Sequence, residues 1–384
     1  MPLVRGHDTY SGVEVVVEGT YGTDPGSGYV RIPCLGEDFQ IKREFYPKDR
    51  SMGALGAQQS ADFGRGWHEA SLTVIPRYNA QWFSWLMTHL FGGSEQVAAA
   101  KLVDGWAEGA GYSCHSYVNK SYQTRSSGSI SAVPPGLTFR IHKSGPSAAG
   151  SMEVFTGSLV RRMTWDHPEN DTPKVTFDFI GRLSTVAAVG SLAADAGGIR
   201  IRPRDLKNRT SLTHGWGIFK VGYAGAQDMD VTSFQLVIEN GLEFAPSFIN
   251  DPETIEKPGH VDLFKVTARI DSLLQQSEFN PSHSLAYAFG LGSTSGLRLR
   301  YVSDTDLAAN VPYEADWYLK GAYITKAENG ITTGGAPKTS YVLEAIQSAY
   351  TTAEAGIPAN VSAMALYQSI GPSAAYATGA QGGN

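Results

Sequence analysis

Four short stretches combine residue types that do chemistry in other proteins. Trp67-His68-Glu69-Ala70-Ser71 opens like the helix of a zinc peptidase, a His for the metal and a Glu for general base catalysis. That chemistry needs a second His one helical turn on, where this chain has Leu72, and the run stands where a strand should begin. Gly292-Ser293-Thr294-Ser295-Gly296 has the glycine spacing of a nucleophile elbow, but Thr holds the place of the nucleophilic Ser and no strand-to-helix pattern surrounds it. Trp165-Asp166-His167-Pro168-Glu169-Asn170-Asp171 sets acids beside a His, in principle a metal site. Ligands crowded on one turn read more simply as the solvated end of a hairpin. Cys114-His115 joins a thiol to an imidazole with no acid or glycine-rich elbow nearby, which reads as a plain buried or half-buried Cys. No phosphate-binding glycine loop occurs, and the nine His are scattered. The residues therefore point to no catalysis, no metal and no cofactor.

Composition narrows the class further. The 384 residues suggest about two domains at roughly 100–200 residues each. A formal net charge of −6 supplies no basic footprint for gripping a duplex. Arg298 and Arg300, and the group Arg200, Arg202, Arg204 and Arg209, have acids close by and read as solvated surface or subunit ion pairs. No apolar run approaches the roughly 20 residues of a membrane helix, and the N-terminal residues lack the apolar core of a signal peptide, so a soluble chain is expected. Two cysteines, Cys34 and Cys114, make neither a disulfide framework nor a four-thiolate zinc site.

The elements that position these residues are mostly strands. Val175, Phe177 and Phe179 alternate with Thr176 and Asp178; Phe264, Val266, Ala268 and Ile270 alternate with Lys265, Thr267 and Arg269. Leu137, Phe139 and Ile141, and again Leu297, Leu299 and Tyr301, follow the same period. Such half-polar alternation predicts antiparallel sheets with one wet face. One helix is expected after Asn79 as N-cap, running through Phe91 to Gly92-Gly93, its apolar stripe of Trp82, Phe83, Trp85, Leu86, Leu90 and Phe91 covering one sheet. A weaker helix is expected near Ser272. Tyr341–Tyr350 is ambiguous between strand and helix. Residues 46–66 read as a long loop of the functional or disordered kind.

The same order of strand, loop, strand, helix and three further strands recurs in the second half. The economical reading is a tandem duplication: a first β domain at 1–186, a linker at 187–216, a second β domain at 217–350, and an Ala/Gly-rich C-terminal arm at 351–384. The fold class is mainly β, two tandem antiparallel β-sandwich or half-barrel domains, each flanked by a short helix and carrying long loops.

Several stretches resemble, in order, the tail tube proteins of phages with long non-contractile tails. Glu18-Gly19-Thr20-Tyr21-Gly22-Thr23-Asp24-Pro25 is similar to their N-terminal segment, and Trp67 to Gly92 to their strand followed by a short outer helix. Pro135–Ile141, Val154–Val160 and Val175–Gly181 follow the order of their later strands, and Ser233–Glu243 resembles the first strand of a second copy. The resemblance covers about residues 13–346, and the duplication departs from the simplest members.

The resemblance implies a structural virion protein, assembled in the host cytoplasm, whose sheets join those of neighbouring copies into a closed inner barrel. Two tube domains per chain imply homotrimeric rings of pseudo-sixfold symmetry, stacked head to tail as a conduit for DNA passage. Loop 46–66 is then the stacking element, with Phe45, Tyr46, Lys48, Asp49 and Arg50 as inter-ring contacts and about Phe248–His260 as their match in the second copy. Glu37, Asp178 and Glu239 are the candidates to face the lumen. Implied partners are further copies of the chain, a tape measure protein, tail terminator and baseplate or distal tail proteins, and viral double-stranded DNA in transient non-specific contact. The competing reading is a carbohydrate-binding or adhesin β-sandwich, whose Trp and Tyr would form exposed sugar platforms.

Overall fold

The computed structural model describes residues 10–47, 61–91, 96–98, 112–118, 135–144, 151–169, 171–182, 185–188, 192–195, 197–205, 219–221, 226–227, 231–243, 259–260, 264–273, 294–308, 311–330, 338–345, 348–349 and 362–372. The first half runs β1 (Tyr10–Val17), β2 (Val30–Ile32), β3 (Cys34–Pro47), β4 (Ala61–Val74), β5 (Arg77–Tyr78), α1 (Gln81–Phe91), β6 (Gln96–Ala98), β7 (Tyr112–Val118), β8 (Leu137–Ser144), β9 (Ser151–His167), β10 (Lys174–Arg182), β11 (Thr185–Ala188) and β12 (Ile199–Arg200). The second half runs β13 (Phe219–Val221), β14 (Ala226–Gln227), β15 (Val231–Glu239), β16 (Leu242–Glu243), β17 (Gly259–His260), β18 (Lys265–Leu273), β19 (Thr294–Ala308), β20 (Val311–Gly330), β21 (Lys338–Ala345), β22 (Ser348–Ala349), β23 (Ser362–Ala363) and β24 (Ala365–Pro372). The fold is mainly β, the paired strands are antiparallel, and no sheet of the described residues closes into a barrel.

One continuous sheet joins both halves in the order β3–β4–β10–β9–β15–β18–β21–β20. Period-two alternation sets its faces. Val175, Phe177 and Phe179 of β10 are buried, as are Val266, Ala268 and Ile270 of β18, while Lys265 and Arg269 are exposed. The pairing order β3–β4–β10–β9 recurs as β15–β18–β21–β20, and irregularities recur with it. A bulge lies between Asp178 and Phe179 where β10 meets β9, and another between Ile324 and Lys326 where β20 meets β21. Shifts between Cys34 and Gly36 of β3 and between Leu137 and Phe139 of β8 have counterparts between Val231 and Ser233 of β15 and between Ser295 and Leu297 of β19.

β9 and β20 are long because each serves two layers. The start of β9 pairs with β8 and β11, and its end with β10 and β15. At the crossing stands Gly157 with φ 67°, where an added Cβ would lie 2.9 Å from the Tyr21 ring. Only glycine adopts that left-handed conformation without strain. β20 likewise leaves β24 after Leu319 and joins β21 from Ala322. The second layer of the first half is β2–β1–β8–β9–β11. That of the second half is β14–β13–β19–β20–β24, extended by β7 and β6 from the first half.

The core lies between these layers and runs across both halves. Trp165 meets the Trp317 ring edge-on at 5.6 Å, and its Nε1 donates to the Tyr301 hydroxyl at 3.0 Å. Helix α1 is where the sequence reading needs correction. It is buried from Trp82 through Phe91, and Phe83 touches Trp165 and Phe177 while Phe91 touches Phe264 and Trp317. The helix is thus a wedge between the halves and not an outer cover of one sheet, as expected when Ser84, Thr88 and His89 also hydrogen-bond inside. Asn79 has φ 53°, and it is Ala80 whose carbonyl accepts the first helical N–H, from Ser84.

Other expectations also change. Ser272 and Leu273 end strand β18 and start no helix; residues 274–293 lie outside the described residues. Tyr341–Ala345 is strand. Residues 61–66, read as loop, belong to β4 and pair with Arg43–Pro47 as a ribbon that runs on past the end of β10. Its glycines and polar residues hide the alternation. Within 187–216, the described residues touch both halves: the Arg31 N–H donates to the Ala194 carbonyl at 3.2 Å and the Tyr78 hydroxyl to Asp205 at 3.2 Å, while Arg202 stands 3.5 Å from Asp304 of β19. Within 351–384, β24 is buried from Ala365 to Gly371 between β20 and β7. A strand buried on both faces shows no alternation.

Candidate functional site

Three of the four stretches that suggested chemistry send a residue into the core; of the fourth, Gly292 and Ser293 lie outside the described residues and Thr294–Gly296 open strand β19. His68 is fully buried; its Nε2 accepts from the Ser158 hydroxyl at 2.8 Å and its Nδ1–H donates to the Arg182 carbonyl. Burial pulls the His68 ring down to about 4. Glu69, on the other face of β4, is paired with Lys42. His167 turns inward, 3.3 Å from the Tyr301 hydroxyl, and burial lowers it to about 4, while Asp166 points to the opposite face. Cys114 is buried and donates to the Gln368 side-chain carbonyl at 3.4 Å. Among the described residues, no His, Cys, Asp and Glu side chains converge to hold a metal ion, and no helix is long and apolar enough to cross a membrane. Trp82, Trp85, Trp165 and Trp317 are buried and offer no sugar platform.

What the fold presents instead is a broad polar sheet face with two open edges. Along one row, Asp38, Ser71, Asp178, Arg162, Glu239 and Lys265 face one another strand by strand. The next row is mostly uncharged: Thr73, Thr176, Thr164, Val237 and Thr267, with the hydroxyls of Thr73 and Thr176 3.0 Å apart. Beyond it lie Lys174, Asp166, Gln235, Arg269, Val342 and Lys326. A trough of about 800 Å³ opens at the Asp38–Lys265 end.

Four cations on this face stand beside acids. Arg162 is 3.7 Å from Glu239, Arg269 is 3.5 Å from Asp271, and Lys42 and Lys326 pair with Glu69 and Glu328. The ammonium groups of Lys42 and Lys326 hold Glu69 and Glu328 below the usual carboxylate range.

The two edges are formed by β3 and by β20 from Ile324 to Gly330; neither has a strand on its outer side among the described residues. Three large apolar side chains are exposed among the described residues: Leu35 at 55% and Ile41 at 54% on β3, and Tyr323 at 38% where the open part of β20 begins. Open strands carrying apolar residues call for a partner.

The residues singled out in the sequence fall in three places. Asp178 and Glu239 lie in one polar row on either side of Arg162. Glu37 is exposed but stands opposite Leu72, in line with the apolar side of the sheet, whereas its neighbour Asp38 completes the polar row. Phe45 and Tyr46 lie on the β3–β4 ribbon, opposite Phe63 and Asp62; Lys48, Asp49 and Arg50 lie outside the described residues. Of the matching second-half segment, Gly259–His260 pairs with Leu242–Glu243. Both hairpins leave the sheet at the same end, beyond Lys42 and beyond Glu239. Sequence reading missed the edge residues Ile41, Ala327 and Glu328, because nothing in a strand pattern says which strands lack a neighbour.

No curated protein matches the chain. A family model described as phage tail tube protein matches residues 11–315. With most of its length matched, and with a mainly β, antiparallel architecture that leaves two strand edges open, this chain belongs to the phage tail tube protein family.

Proposed function

We propose that the chain forms homotrimeric rings, that the rings stack head to tail into the tube of a long non-contractile tail, and that the tube is the conduit for viral double-stranded DNA. The single observation behind this reading is the seam between β9 and β15. There, two sheets of the same pairing order join edge to edge within one chain. The same joint repeated between β20 of one copy and β3 of the next would turn an open sheet into a closed wall and leave no edge exposed. Two tube domains per chain then make a trimer of pseudo-sixfold symmetry.

The polar face is the lumen wall in this reading. Asp178, Glu239 and Asp38 supply negative charge, and the paired cations offer phosphates little to hold, so DNA slides. The two hairpins at one end of the sheet contact the next ring through Phe45, Tyr46, Lys48, Asp49 and Arg50 and through the 248–260 segment. That contact is heterologous and non-closing, which gives a filament. Tape measure, terminator and baseplate or distal tail proteins meet the lumen and the two tube ends. The chain acts by assembly and carries out no catalysis. Electron microscopy and mass measurement over a concentration series test the reading. Trimers that convert into hollow tubes of regular repeat are expected; a discrete monomer at every concentration and salt would overturn it.

A further inference from the structure

Resting on that ring reading, we infer that the joint between copies copies the residue register of the β9–β15 seam, placing Ile41 of one chain opposite Ala327 of the next and Gln40 opposite Glu328. The bulges fix the correspondence. The β10–β9 bulge leaves Arg162 opposite Asp178 and Val160 opposite Phe179, and the β21–β20 bulge leaves Lys326 opposite Val342 and Ile324 opposite Leu343. Arg162, Met163 and Thr164 of β9 therefore correspond to Lys326, Ala327 and Glu328 of β20. Gly157 and Gly321, each five residues before Arg162 or Lys326, agree with this match. The β3 and β15 bulges make Gly36 the counterpart of Ser233, so Gln40, Ile41 and Lys42 correspond to Val237, Ile238 and Glu239.

At the internal seam Ile238 stands opposite Met163, and both are fully buried. Their counterparts at the open edges are the exposed Ile41 and the small Ala327. The exposed isoleucine thus falls where the seam buries one, on the apolar side of the sheet. On the polar side, Glu328 comes opposite Gln40 and diagonal to Lys42. The same register sets Lys42 opposite Lys326, as the seam sets Glu239 opposite Arg162, and each lysine brings its own carboxylate to the joint, Glu69 or Glu328. The partner is a second copy of this chain, and a slip of one residue would turn Ile41 into the lumen.

The register is read by thiol cross-linking in a Cys34→Ser background, since Cys34 lies on the same edge. The pair Gln40→Cys and Glu328→Cys is expected to cross-link as the dominant species in assembled rings. The pair Lys42→Cys and Glu328→Cys, opposite one another only after a two-residue slip, is expected to react several-fold less. Separately, Ile41→Asp is expected to raise the concentration needed for assembly about tenfold or more, the fold-change of losing one buried aliphatic contact. Its circular dichroism and melting should match the parent chain, because the site is exposed before assembly. Rings in which the 42/328 pair dominates, or in which Ile41→Asp assembles like the parent, overturn this register and leave the ring reading standing. A parent chain that never associates overturns the ring reading, and the register with it.

Discussion

Burial drives the rings of His68 and His167 from 6.5 to about 4, so both are neutral in the folded chain. The unfolded chain takes up these protons first as pH falls. The stability they lend is full above 6.5 and is lost between there and about 4, on the order of 3 kcal/mol for His68 at the lower limit. Denaturant midpoints should drop between pH 7 and pH 4.5, and less in a His68→Gln variant normalised to its own value at pH 7. Glu18 behaves oppositely. Burial raises its pKa, although its carboxylate accepts from the Gly157 and Gly22 N–H groups at 2.6 Å and the Thr138 hydroxyl at 2.7 Å. Its contribution is therefore fullest at low pH and is lost as pH rises through its raised pKa. Glu18→Ala leaves those donors buried without an acceptor and should cost about 3 kcal/mol in chemical denaturation.

Elements decide how much of the molecule was legible in the chain. β10 and β18 alternate cleanly because one face is wet, and they stand where the period places them. β24 does not alternate, because residues on both its faces are buried. Composition alone made it a tail. Removing residues 362–384 should therefore yield insoluble protein rather than a trimmed tube subunit, which expression and sedimentation would reveal. Helix α1 was legible as a helix but not as a wedge, since apolar residues on its stripe do not say how many layers surround it. Trp82→Ala within it should cost about 3–5 kcal/mol, measured by thermal or denaturant unfolding. The ribbon of β3 and β4 was hidden by glycines, and the polar row was hidden because register, not period, decides that Asp38 and not Glu37 joins Asp178.

At the scale of the whole molecule, the family and the open sheet edges argue for assembly, and in the proposed tube the polar face would be the wall that DNA passes. Arg162 pairs with Glu239 on that face. Assembled Asp178→Lys/Glu239→Lys protein should bind duplex DNA with an affinity that falls steeply with salt, while the parent should show little binding in the same filter or fluorescence assay. The most direct test of the central claim is the end view of assembled particles by cryo-electron microscopy. A closed ring of three chains is expected, its inner wall running unbroken from β20 of each copy into β3 of the next, with six lobes of near-equal shape. An open arc, or a ring whose inner wall is interrupted between copies, would contradict it.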